Sequence, residues 1–395
     1  MPSIACPIVS RRFVGPEADE LTIQILPAGS PHEVALQVEE TYRALAAFLT
    51  AHGSSFQDVT AETLLLRDVR RDLPGILDVR ARVLGDLGQA ALAPRPAFIG
   101  QAPAGHDATF QLAATVVVPH RRDAWSVRDV AAMPSCPCDG CARSGARIVR
   151  LGDRTSVHTT NVYGEGQGAQ EQALGMFHAA ERLLDQCGMG FGDVVRTWIQ
   201  LRDIDRDYGA LNSARREFFE SRGIGRRPAS TGVQGTPFPD AHDVVMSLTA
   251  VRSSRPLDAT VISTPTLNEA WSYGADFSRG LRLVEANQVT LHVSGTASID
   301  EAGRTVHVGD FAAQAERMLH NISTLLAGQG ATFSDLASAI TYLKRAEDAA
   351  ALQAIFQRRG FRGFPSAVVH APLCRPELLC EAEAVSILPV KRSEA

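Results

Sequence analysis

The chain has no apolar run approaching 18 residues, and its opening stretch MPSIACPIVSRRF lacks the hydrophobic region of a signal peptide. A cytoplasmic, soluble protein with no membrane partner is therefore expected. Charge of one sign is also missing. Thirty-nine Lys and Arg against 44 Asp and Glu leave a net charge of −5, with both signs interspersed, which argues against a nucleic-acid partner. Cysteine is sparse and odd in number, seven in all, with no small-domain disulfide spacing, so reduced thiols are the default. No H-E-x-x-H or Ser-His-Asp order occurs, and GEGQG at Gly164 lacks the Lys-Ser/Thr of a phosphate loop. Cys136, Cys138 and Cys141 form a C-x-C-x2-C run. Its nearest further ligand, His158, lies across a predicted strand, and His120 stands loosely upstream. Neither a metal nor a cofactor is expected.

What the chain does have is bulk and repetition. With 395 residues, 45% of them hydrophobic, it can bury two or three cores. The stretch from Gly53, GSSFQDVTAETLLLRDV, resembles GMGFGDVVRTWIQLRDI from Gly188 and GATFSDLASAITYLKRA from Gly330. Each carries a Gly, then a Phe and an Asp (Phe56/Asp58, Phe191/Asp193, Phe333/Asp335), a β-rich run, and an amphipathic helix. Pro96, Pro228 and Pro365 then open a closing pair of strands in each copy. The order strand, strand, helix, strand, helix, strand, strand predicts an α+β unit with two helices on one face of a mixed sheet. The expected units are 1–120, 145–255 and 256–392, with 121–144 as a linker. Three such units can cover one another's open sheet faces as an intramolecular pseudo-trimer, alone or as a homodimer of it.

Near the end, APLCRPELLCEAEAV reads as a strand. Alternation puts Leu378, Cys380, Ala382 and Ala384 on one face, and Leu379, Glu381, Glu383 and Val385 on the other. Arg375 offers a planar fork for a carboxylate. Glu381, in a protein-lined cleft, can have its pKa raised and serve as acid or base, and two carboxylates so close rarely both stay ionised. Alternatively, Arg375 neutralises Glu383 or Glu377 in a purely structural network. Aligning VVMSLTAV with LLCEAEAV sets Ser247 and Thr249 opposite Glu381 and Glu383, with Ala113 and Thr115 in the first unit. One catalytic Glu per chain is therefore expected, in the third unit. Arg227 and Arg95, each before a proline, suit either a binding role or a sheet-edge role.

These motifs resemble the Rid (YjgF/UK114) superfamily, whose fold is of the chorismate mutase-like type and whose members are usually homotrimers with clefts between subunits. The clearest signature is VSGTASIDEAGRTVHVGDFAAQAERMLHNISTLLAGQGATFSDL with CRPELLCEAEAV. Within it, NEAWSYGADFSRGL, SGTASI and CRPELLCEAE are similar to the C-terminal half of chorismatases. That resemblance implies Glu381 as the acid, with Cys374 and Arg375 beside it, acting on a small-molecule carboxylate. It also implies a cleft bordered by Tyr273, Phe277 and Arg279. Glu383 shares the face of Glu381. Ser294, Gly295 and Thr296 offer small residues and backbone N–H groups for close approach, and Arg227 is a candidate for a second, binding-only site. The activity implied is release of pyruvate from chorismate, leaving a hydroxybenzoate-type acid. The wider superfamily implies imine or enamine hydrolysis instead, and a catalytically silent ligand-binding protein is the third reading. An endoribonuclease role finds little support in an acidic chain.

Overall fold

A computed structural model describes residues 6–28, 33–132 and 138–390. The first unit comprises β1 (Ile8–Val14), β2 (Ala18–Ile25), α1 (Val34–Ala51), β3 (Val59–Leu66), α2 (Val69–Asp86), β4 (Ala97–Ile99) and β5 (Phe110–Pro119). The second contains β6 (Trp125–Ala131), α3 (Asp139–Arg143), β7 (Gly145–Leu151), β8 (Arg154–Val162), α4 (Ala169–Gln186), β9 (Val194–Leu201), α5 (Ile204–Ser221), β10 (Ala229–Gln234) and β11 (Val244–Ser253). The third runs through β12 (Asp258–Val261), β13 (Gly280–Val284), β14 (Gln288–Ala297), α6 (Phe311–Ala327), β15 (Leu336–Leu343), α7 (Ala349–Arg359), β16 (Ser366–His370) and β17 (Cys380–Pro389).

The three sheets share one topology. Their orders are β1-β2-β5-β3-β4, β6-β7-β8-β11-β9-β10 and β12-β13-β14-β17-β15-β16, each with a single parallel pair at one edge. The fold is therefore three tandem α+β units, each a mixed sheet with two long helices. The stretch 121–144, expected as a linker, differs from that reading: β6 within it pairs with β7 along its whole length and extends the second sheet.

The repeated Gly-Phe-Asp signature has a local cause. Gly53, Gly188 and Gly330 stop the preceding helix at φ of +67°, +74° and +72°, where a side chain is disfavoured. The Asp then caps a short turn: Asp58, Asp193 and Asp335 accept from the backbone N–H of Ser55, Gly190 and Thr332 at 3.2, 2.8 and 2.8 Å. The motif thus converts a helix into the next strand three times over.

Each unit buries a core between its helices and one sheet face, for example Tyr42 and Phe56, Phe177 and Phe218, and Leu319 and Phe361. The other sheet faces turn towards one another. Backbone bridges tie every pair of units: Gly100 to Thr236, Pro103 to Val369, and Ala229 to Ser278. No helix among the described residues is long and apolar enough to cross a membrane.

Candidate functional site

Alternation holds along β17, but the strand begins only at Cys380: residues 371–379, expected in the same strand, form a loop and turn around Pro376 instead. Cys380, Ala382 and Ala384 join the core of the third unit, while Glu381 and Glu383 occupy the inward face. There they meet the second unit, whose β9 and β10 contribute Arg196, Trp198 and Thr231. Glu383 accepts hydrogen bonds from Arg196 Nη2 at 2.7 Å, Trp198 Nε1 at 2.6 Å and Tyr342 OH at 3.1 Å. It is paired with Arg196 of the neighbouring unit, not with Arg375. Arg196 is 1% exposed, stacks over Trp198 at 4.9 Å and also bonds Thr231 Oγ1, yet its Nη1 is buried with no hydrogen-bond partner.

Glu381, two residues away, has a different environment. It is 6% exposed and makes no hydrogen bond to any described residue. Burial pushes its pKa up to about 7 and the charge of Glu383 adds to the rise, while Arg279, Arg196 and Arg375 oppose it. At neutral pH it therefore holds a proton a substantial part of the time. A β-bulge in β14 between Val293 and Thr296 makes room for it. A Cβ added to Gly295 would lie 2.0 Å from Glu381 Oε1, so only glycine fits under this carboxyl group.

Three arginines, Arg279, Arg196 and Arg375, lie near enough to Glu381 to act on its charge. Arg279 is buried, donating to Asn268 O at 2.8 Å and Asn268 Oδ1 at 3.2 Å. Phe277 lies between Arg279 and Arg215 of α5, each guanidinium 5.7 Å from its ring. Arg375 donates to Gly303 O at 2.7 Å and is near enough to influence Glu381. Cys374 is half-buried where the cores of the second and third units meet. Burial, reinforced by Glu381, pushes its pKa up to about 12, so it is a neutral thiol.

Other residues singled out from the sequence serve the seam between the units. The Ser294 hydroxyl accepts from Ser230 N at 2.9 Å and donates to Ser278 O at 2.6 Å, and Thr296 Oγ1 donates to Ser294 O at 2.8 Å. Arg227 donates to Ile224 O and reaches Asp276 at 3.5 Å, fastening the loop that carries Phe277. The side chains of Tyr273 and Cys141, and all of Cys136, lie outside the described residues; Cys138 is exposed. Among the described residues no group of three metal-ligating side chains occurs.

The sheet registers correct the repeat alignment. Trp198 pairs with Ser247, Ile340 with Glu383 and Thr63 with Ala113. Val245 and Ser247, not Ser247 and Thr249, therefore match Glu381 and Glu383, and Gln111 and Ala113 match them in the first unit. The slip of two residues preserves the face, and the corrected positions Val245, Ser247, Gln111 and Ala113 again carry no carboxylate. Arg196, Trp198, Thr231 and Arg215 were not anticipated. One signal existed: Arg196 and Trp198 stand where the other repeats carry Ala61 and Thr63, or Ser338 and Ile340.

Parts of the chain are similar to known proteins. Residues 273–387 match a family described as Endoribonuclease L-PSP. A chorismatase of Streptomyces rapamycinicus is 28% identical over 224 residues, covering 50% of this chain and 65% of that protein, so somewhat under two thirds of its length is matched. A chorismatase crystal structure superposes with a TM-score of 0.59 at 17% identity, over 84% of this chain and 93% of that one. The chain is Rid-like, with a chorismatase-like part. A single-unit structure, a member of the YjgF/YER057c/UK114 family from Mycobacterium tuberculosis, aligns at 21% identity over 33% of this chain and all of that one, with a TM-score of 0.27. Within this Rid-like chain, the glutamate pair belongs to the third unit and Arg196, Trp198 and Thr231 to the second.

Proposed function

We propose that the cleft between the second and third units is the active site of a cofactor-independent enzyme that cleaves the enolpyruvyl ether of chorismate. The observation that carries this reading is Glu381: a buried carboxyl group, without a hydrogen bond to any described residue, held near neutrality among arginines. Chorismate carries two carboxylates and an acid-labile vinyl ether. Arg279 and the buried Nη1 of Arg196 supply charge for the carboxylates. The protonated Glu381 delivers its proton to the terminal methylene carbon of the ether. The adjacent carbon becomes an oxocarbenium centre, stabilised by the Glu383 carboxylate and by the ionised Glu381. Water adds there, its proton returns to Glu381, and the hemiketal collapses to pyruvate and a dihydroxycyclohexadiene acid. Loss of water from that diol gives a hydroxybenzoate. Cys374, a thiol of raised pKa, packs against the ring as a neutral wall.

The similarity to chorismatases supports the substrate. The family match of the third unit favours a second reading, hydrolysis of an imine or enamine acid, for which the same glutamate would activate water. Purified protein incubated with chorismate, with pyruvate followed by a coupled lactate dehydrogenase assay, separates the two. Pyruvate release that falls by about 10²-fold or more in Glu381→Gln supports the chorismate reading. Absence of turnover on chorismate, with ammonia released from an imino acid, overturns it in favour of the second.

A further inference from the structure

The inward faces of the three sheets line a cavity of about 240 Å³ near the pseudo-threefold axis; Glu383 and Trp198 line it, Glu381 does not. The wall between the cavity and Glu381 is the Glu383–Arg196–Trp198 network. Thr22, His158 and His292 occupy matching positions on β2, β8 and β14, opposite Thr115, Thr249 and Val385, and all face this space. His158 is satisfied, within 3.2 Å of Ser156 Oγ and 3.3 Å of Thr249 Oγ1. His292 is not: its ring is 9% exposed, and its Nδ1 is buried with no hydrogen-bond partner. An unpaired buried polar atom beside a cavity is one that a guest hydroxyl or a water can satisfy.

We infer that this axial cavity is a second ligand site, which takes a neutral one-ring alcohol or phenol. Size sets the scale. A cavity of about 150 Å³ suffices for benzene, so this one has room for a single substituted ring. Charge sets the class. Arg154 lines the cavity and is already faced by Glu285 at 2.6 Å and Glu20 at 3.5 Å from the other two units. A carboxylate entering there would bring a third negative charge to one cation. The two histidines offer it nothing, since burial drives both down to about 3 and keeps them neutral. A hydroxyl bonded to His292 Nδ1, with its ring against the small side chains of β5, meets no such cost. This inference does not depend on the reaction proposed for the cleft.

Calorimetric titration with phenol and with benzoate tests it on four proteins: wild type, Ala113→Leu, His292→Leu and Glu381→Gln. Ala113 lines the cavity and its leucine fills it. Expected are one phenol per chain, binding weakened at least about tenfold by Ala113→Leu and about fivefold by His292→Leu, no change in Glu381→Gln, and benzoate at least about tenfold weaker than phenol. Should Ala113→Leu fail to fold, Thr249→Leu fills the cavity from another strand. No phenol binding to the wild type overturns the inference. So does binding that survives cavity filling but is lost in Glu381→Gln, or benzoate binding as tightly as phenol.

Discussion

Two carboxylates on one face of β17 meet different neighbours. Glu383 accepts three hydrogen bonds, one from a buried arginine, while Glu381 accepts none from the described residues. The raised pKa of Glu381 has a consequence for stability as well as for rate. Its folded value of about 7 lies above its ordinary 4.5, so folding favours the protonated form. That contribution is complete below pH 4.5 and is lost as pH rises through about 7, at a cost on the order of 3 kcal/mol above it. Glu381→Gln should therefore match the wild type in thermal melts below pH 4.5 and melt at a higher temperature above pH 7. Equal melting at every pH would show that the carboxyl group is not perturbed. For the same reason turnover should decline as pH rises through about 7. Glu383→Gln removes the charge that helps raise Glu381 and leaves Arg196 without a carboxylate. Its alkaline limb in a kcat profile should move to lower pH, and the fold should lose roughly 3–5 kcal/mol in denaturant titrations. A limb that stays in place would mean that Glu383 does not tune its neighbour.

At the level of elements, the residue at one shared bulge position distinguishes the two interfaces. In the third unit the bulge in β14 places Gly295 under Glu381; in the second, β8 has a matching irregularity, and the residue corresponding to Gly295 is Asn161, at φ +52°. Its side chain bonds Phe98 N at 3.0 Å, Pro96 O at 2.9 Å and Arg143 O at 3.1 Å, filling the first interface with protein. Opposite outcomes follow for two alanine substitutions. Gly295→Ala should lower kcat/KM about 10²-fold or more with a stability change near 1 kcal/mol, because the carboxyl group must swing away. Asn161→Ala should cost roughly 2–4 kcal/mol of stability and leave kcat unchanged. Steady-state kinetics beside thermal melts distinguish them, and an Asn161→Ala variant that loses turnover would refute this division of roles. The Gly-Phe-Asp turns were legible because glycine stops and capping carboxylates act within a few residues. Arg196 was not, because its partner lies 187 residues away and no local pattern encodes a contact across units. The repeat alignment slipped by two for a related reason: alternation fixes the face of a strand but not its register. The edge strand β6 was missed because its exposed, charged residues resemble a linker.

For the whole molecule, the sequence repeats made three covering sheets readable, whereas the electrostatic junction between them emerges only in space. Arg154 of the second unit meets Glu285 of the third and Glu20 of the first, and Gln288 donates to Glu20 at 2.8 Å. One cation thus joins all three units beside the axis. Burial raises the pKa of Glu285, and Arg154 holds it down. A raised carboxyl favours folding when protonated, so its contribution is lost as pH rises through its folded value. Without Arg154 the rise is larger and that loss deeper. Arg154→Leu, which keeps apolar bulk, should cost roughly 2–3 kcal/mol at alkaline pH, where two half-buried carboxylates would share no cation. In acid Glu285 takes up a proton and the deficit should shrink. Melting temperatures of variant and wild type across this range provide the check. A gap that widens with pH identifies the junction as electrostatic, whereas a constant gap would mean that Arg154 holds the units together through the packing of its stem alone.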